Sequence, residues 1–182
     1  MSPDPLPERF APENMIPLRV TDYDPVHAEP LVRMWRASFE HGLGIVDHHP
    51  LDAQLAYLRD TLVPTHRVRL AWRESALVGF LAHTHESIAQ LYVRVEDIGQ
   101  GIGTHLLNLA ESESSGRLRL YTFPRNARAC RFYERHGFVE VARGFEPMWQ
   151  LPDVRYEWVR SDRDAQPKAA ASSPVNEECS GA

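Results

Sequence analysis

Apolar positions recur along this chain with two different periods, and the change-overs between them mark out its elements. Leu31, Met34, Trp35 and Phe39 follow each other at three- and four-residue steps, which predicts a helix over residues 26–39, with Pro30 in its first turns where proline is tolerated. Leu55, Leu58 and Leu62 share one side of a second helix, over 51–62, which should stop before Pro64. Strict alternation then takes over. Val68, Leu70 and Trp72 point one way and the arginines between them the other, a half-buried strand over 66–73. Glu74 and Ser75 make a short turn into a strand over 76–83, so the pair is a hairpin, and a further strand is expected over 87–95. Beyond it the pattern predicts a helix over 101–114, a strand over 117–122, and a helix over 126–136. Asn126 serves that last helix as N-cap and Gly137 as left-handed terminator. Strands over 138–143 and 154–159 close the series, and one over 16–20 opens it. The order β-α-α-β-β-β-α-β-α-β-β implies an α/β fold, a mixed sheet with helices on both faces.

Outside residues 16–160 the pattern fades. The first seventeen residues hold five prolines, so residues 1–15 read as a loose lead-in. Residues 161–182 are small, polar and charged, with little to bury, and read as a disordered tail. No stretch reaches the roughly 18 apolar residues of a membrane span, and no apolar core follows a basic start as in a signal peptide. Two cysteines, Cys130 and Cys179, without a CxxC make neither a disulfide framework nor a zinc knuckle. A cytoplasmic setting follows. The net charge of −5, with no basic run, argues against nucleic acid as a partner.

The chemistry concentrates in two places. In the first, an apolar strand ending Tyr92-Val93-Arg94-Val95 runs into Gly99-Gln100-Gly101-Ile102-Gly103-Thr104 and then an amphipathic helix. Alternating glycines let main-chain N–H groups face inward, and a helix start adds unpaired N–H groups with a partial positive charge. Together they form a concave site for a diphosphate, to which Thr104 can add a hydroxyl. Two familiar phosphate loops do not fit. Thr104 stands where the Rossmann pattern needs its third glycine, and the Walker pattern needs a lysine that is absent. In the second place, a strand leads into Asn126-x-x-Ala129-x-x-Phe132-Tyr133-x-x-x-Gly137-Phe138.

On these two stretches the chain resembles the GNAT superfamily of N-acetyltransferases, over about residues 16–160. That family's loop reads [QR]-x-x-G-x-[GA] after Y-V-x-P; here Ile98 takes the place of the glutamine or arginine and Val95 that of the proline. Its second motif, N-x-x-A-x-x-F-Y-x-x-x-G-F, matches at every specified position. The resemblance implies a mostly antiparallel sheet of about seven strands, with the fourth and fifth parallel and splayed into a V. It implies acetyl-CoA as co-substrate, without a metal. Tyr92, Val93, Val95, Gly99, Gln100, Gly101, Ile102, Gly103, Thr104, Asn126 and Tyr133 are then its cofactor-binding residues. The main chain at Val93 and Val95 would pair with the pantetheine arm, and the Val93 N–H would donate to the thioester oxygen.

Acetyl transfer to an amine needs a neutral nucleophile and a proton for the departing thiolate. An alkyl amine with a pKa near 10.4 is unprotonated in only about one molecule per thousand at pH 7, so a base or a water chain to one helps. Tyr133 is the expected general acid and Glu86 the expected base. His85, His83, Gln90 and a purely water-mediated route are the alternatives for the base. Glu40 or Asp47, in the stretch from Trp35 to His49, is expected to meet the acceptor's ammonium, with 147–158 as the opposite wall. The histidine pairs His83/His85 and His48/His49 lack the ligand count of a zinc site. The reading is an N-acetyltransferase acting on a small-molecule amine, working alone or as a homodimer. Its competitors are a non-catalytic coenzyme A sensor and an enzyme acting on protein N-termini or lysines.

Overall fold

A computed structural model describes residues 17–161. The expected lead-in lies outside this range, as does the tail apart from Ser161. Seven strands form one sheet: β1 (Arg19–Asp22), β2 (Arg67–Arg73), β3 (Ala76–His83), β4 (Ser87–Val93), β5 (Arg117–Thr122), β6 (Val139–Glu146) and β7 (Leu151–Val159). Their order across it is β1-β2-β3-β4-β5-β7-β6, and every neighbouring pair is antiparallel except β4 with β5. The helices are α1 (Ala28–Leu43), α2 (Leu51–Tyr57), α3 (Ile102–Ser112) and α4 (Ala127–Arg135). Leu31, Trp35 and Phe39 of α1 bury against Leu70, Trp72 and Phe80 on one face. Leu106, Leu107 and Ala110 of α3, with Tyr133 of α4, bury against Val78, Ile88, Leu118 and Tyr156 on the other.

Several boundaries differ from the pattern. The second helix does not stop before Pro64: after Tyr57 it widens into a π turn over Leu58–Leu62 and tightens again over Val63–Thr65. Pro64 falls in the last turn of this continuous run, next to the π turn, where the regular ladder is already interrupted. The fourth strand ends at Val93, since Val95–Asp97 forms a 3₁₀ turn. β6 and β7 are longer than their apolar pattern suggests, because almost all of β6 is exposed and only ladder hydrogen bonds define it.

What positions the site is the meeting of β4 and β5. Ala82 pairs with Gln90 and His83 with Ile88, so Ala89 is an extra residue, a bulge that bends β4. Only Ser87 and Ile88 pair with β5, opposite Arg119 and Leu120. Past the bulge the two strands part, and a V opens toward Val93 on one side and Thr122 on the other.

Candidate active site

The V opens into a cleft of about 340 Å³, lined by Leu91, Tyr92 and Val93 of β4, the glycine loop, the start of α3, the inner side of α4 and the end of α1. Arg94 N–H donates to the Val78 carbonyl on β3 at 2.8 Å. Strand geometry then turns the N–H and C=O of Val93 away from β3 and into the V. The Val93 carbonyl accepts from the Ser38 hydroxyl of α1 at 2.8 Å, while its N–H makes no such bond among the described residues. The Tyr92 ring packs 5.9 Å from Phe80 and 6.1 Å from Trp35, and burial pushes its phenol up to about 12.

The loop is built as an anion cradle. Gly99 and Gly101 have φ of 90° and 81°, the left-handed region that a side chain disfavours. Gly101 is the N-cap of α3 and offers no side-chain cap; the first helical bond runs from His105 N–H to Gly101 O at 3.0 Å. The N–H groups of Ile102, Gly103 and Thr104 are therefore left for a ligand, which is what a diphosphate needs. Gly103 packs against the Phe132 ring, where a Cβ would stand in ordinary contact at 3.4 Å. Residues present thus fit the coenzyme's pyrophosphate.

The expected cofactor residues divide by where their side chains go. Tyr92, Val93, Gly99, Gly101, Gly103, Thr104, Asn126 and Tyr133 all line the cleft. Gln100 turns the other way, bonding Arg73 and the Glu96 carbonyl, so its side chain fastens the loop to the β2–β3 hairpin. The Ile102 side chain lies in the core against Gly79, leaving only its N–H for the site. Val95 sits in the 3₁₀ turn and is not on the cleft, so its main chain does not extend β4 as a paired strand.

Asn126 caps α4, its Oδ1 accepting from Ala129 N–H at 3.1 Å. Its amide nitrogen faces α1 so closely that a Cβ on Gly42 would stand 2.6 Å away. Tyr133 is 8% exposed, and its hydroxyl makes no hydrogen bond among the described residues. Burial, then the neighbouring Tyr92 and Cys130, push its phenol well above the ordinary tyrosine range.

Glu86 is not among the residues that line the cleft. It sits on the exposed β3–β4 turn, its N–H on the Thr84 hydroxyl at 3.1 Å and its carbonyl on Arg119 N–H at 3.0 Å. That is the closed end of the V, seven residues and roughly 20 Å of strand from Val93. His85 and His83 lie there too, bonded toward the end of α3: His85 Nδ1 is 2.6 Å from the Glu113 carbonyl, and His83 is buried 3.5 Å from the Glu113 carboxylate. Among the described residues no group of three or more histidines, cysteines or acids is placed to hold a metal ion.

Two arginines escaped the sequence reading. Arg128 and Arg135 line the cleft from α4, and the Arg128 guanidinium lies 3.7 Å from where a Gly99 Cβ would be. The signal was there, since Arg128, Phe132 and Arg135 share one helical face at i, i+4 and i+7. His41 of α1 also lines the cleft.

Where the acceptor was expected, the two acids are already engaged. Glu40 accepts Asp47 N–H at 2.8 Å, and the Asp47 carboxylate sits 3.5 Å from Arg36 and 2.8 Å from His49 Nδ1. His49 packs on Trp149 at 4.9 Å and Trp149 on Phe39 at 4.6 Å, which ties the α1–α2 loop to the β6–β7 turn.

Comparison with known proteins agrees with this geometry. Residues 64–140 match the family described as Acetyltransferase (GNAT) domain. Many solved structures share the fold. YjaB of Escherichia coli, in its apo form, superposes with a TM-score of 0.66 at 20% identity, over 79% of this chain and 99% of that one. PaiA N-acetyltransferase of Thermoplasma acidophilum, solved in complex with coenzyme A, gives 0.62 at 18% identity, over 79% and 99%. YncA of Salmonella typhimurium, a putative acetyltransferase solved with acetyl-CoA, gives 0.58 at 14%, over 84% and 99%. No curated protein matches in sequence. Residues 64–140 thus match the GNAT acetyltransferase domain, and the described chain has the fold of the solved GNAT structures.

Proposed function

We propose that this protein is an acetyl-CoA-dependent N-acetyltransferase that acts on a small-molecule amine in the cytoplasm. The observation that carries the reading is the Val93 N–H turned into a V whose open end holds an uncapped helix start and whose wall holds Tyr133. The pyrophosphate sits on the N–H groups of Ile102 to Thr104, with Arg128 and Arg135 supplying the cation that Ile98 does not. The pantetheine arm lies along Leu91 to Val93, and the thioester oxygen takes the Val93 N–H. Attack by the amine forms the new C–N bond and expels the thiolate. Holding both reactants in one cleft contributes several kcal/mol, up to ~10, without a covalent enzyme intermediate.

Tyr133 gives its proton to the thiolate. Its raised pKa keeps the phenol protonated at neutral pH. A thiolate born in the same buried place is disfavoured by the same desolvation, so the transfer stays within reach. The amine's proton leaves through water in the cleft, where His41 is a titratable side chain with no bonded partner among the described residues. Neither nucleic acid nor membrane enters this reading; no helix among the described residues is long and apolar enough to cross a membrane. A homodimer is compatible with it.

The test is purified protein with acetyl-CoA and a broad amine panel, read by thiol release and product mass. Acetylated amine with matching thiol release is expected. Tight coenzyme binding with no release on any amine would favour a non-catalytic sensor instead.

A further inference from the structure

Thr104 and His136 meet at the wall of the cleft. The Thr104 hydroxyl lies 3.1 Å from His136 Nε2, and His136 Nδ1 lies 2.8 Å from the Phe132 carbonyl oxygen. A carbonyl only accepts, so Nδ1 must carry a hydrogen. In a neutral imidazole Nε2 is then bare and takes the Thr104 hydroxyl proton. Toward the cleft that hydroxyl shows only lone pairs, the wrong face for a phosphate. A second proton on the ring reverses the bond: Nε2–H donates, and the hydroxyl proton is free to turn to an anion.

We infer that His136 is a positioning residue of the coenzyme site, and that binding the diphosphate takes up one proton at its ring so that Thr104 can donate. The inference rests on the coenzyme reading above. The ionisable groups on the two elements His136 joins are Arg128, Cys130, Arg131, Tyr133, Glu134 and Arg135 on α4, and His105 and Glu111 on α3. Glu134 is held by the Tyr156 hydroxyl at 2.7 Å, and Trp158, packed over Gly137 from β7, is neutral. In the free cleft Arg128 and Arg135 oppose a further positive charge. A bound diphosphate offsets them, so the ring binds its proton more strongly in the complex than without ligand. The sign follows: affinity is greatest where His136 is already protonated and falls as pH rises through the histidine range.

Coenzyme A itself carries a 3′-phosphate that titrates near pH 6, so 3′-dephospho-coenzyme A is the cleaner probe. Calorimetry on the full chain, from pH 6 to 8.5, in buffers of different ionisation heat, reads both affinity and proton uptake. The wild type is expected to take up more than half a proton at the pH of greatest uptake and to lose affinity by about tenfold or more across the range, at most about tenfold per pH unit. His136→Gln and Thr104→Val should bind with no uptake and a flat profile, while Thr104→Ser keeps both. In unmutated protein, the His136 ring proton resonance should move toward its protonated position on saturation. Binding with no uptake in the wild type, or undiminished uptake in Thr104→Val, overturns the inference. No binding at millimolar probe removes the coenzyme reading itself, and this inference with it.

Discussion

The V and the loop between α1 and α2 are built by different means. The V is made of main chain: a bulge that parts two strands, a Val93 peptide turned inward, and a helix start whose N–H groups are left uncapped. The α1–α2 loop, where the acceptor was expected, is made of side chains that satisfy each other, with Asp47 held between Arg36 and His49 and Trp149 packed on Phe39. A site made of backbone demands particular residues at fixed spacing and leaves a motif. A site made of paired side chains leaves none, since many combinations close the same wall.

The sharpest way to break this contrast is at the loop. Gly101→Glu puts a side chain on a left-handed residue with φ of 81° and an anion where the diphosphate belongs. Space is open around the added Cβ, so the fold should survive, with strain of about 1–2 kcal/mol. The dissociation constant for acetyl-CoA should rise by about a hundredfold or more. Tyr133→Phe comes next: turnover should fall by roughly tenfold or more with coenzyme affinity unchanged, as expected for loss of a general acid. Unchanged turnover would take Tyr133 out of that role.

Arg128→Ala tests the side-chain contribution to a main-chain site. A rise of about three- to tenfold in the coenzyme dissociation constant is expected, with a shallower dependence on salt. In the α1–α2 loop, Asp47→Asn should leave coenzyme affinity alone and cost about 1–2 kcal/mol of stability, read by urea unfolding, because it weakens a buried link between α1 and its loop. The smallest effect is one of pH. Burial holds His83 below the ordinary histidine range, so the unfolded chain takes up this proton first. Stability therefore rises with pH up to about 6.5 and drops below it, by a few degrees in the thermal midpoint. His83→Gln should flatten that slope.

The same division explains what the chain disclosed in advance. β3 and β5 were legible to the residue, β3 as an apolar run bounded by turn residues and β5 by its alternation. Asn126 declared itself as a cap, and Gly137, with φ of 82°, as the terminator of α4. The π turn in the second helix left no trace, since Leu58 and Leu62 suit either helical period. Nor did the bulge at Ala89, which depends on the partner strand rather than on its own side chain. β6 was cut short because an exposed edge strand carries no buried alternation. Glu86 was drawn toward the site by its place at the start of β4, where relatives often carry a glutamate; the strand's direction puts it at the closed end of the V. His136 passed unnoticed because it sits in the motif's unspecified positions, between Tyr133 and Gly137.

The central claim is that a coenzyme lies across the V with its phosphates on the loop. Amide chemical shifts followed by NMR during titration with acetyl-CoA test this most directly. The largest changes are predicted at Gly99 to Thr104, at Val93, and at Asn126 to Tyr133, with residues of the Glu86 turn and the Asp47 loop little moved. Changes confined to any other surface, or none at saturating ligand, would contradict it.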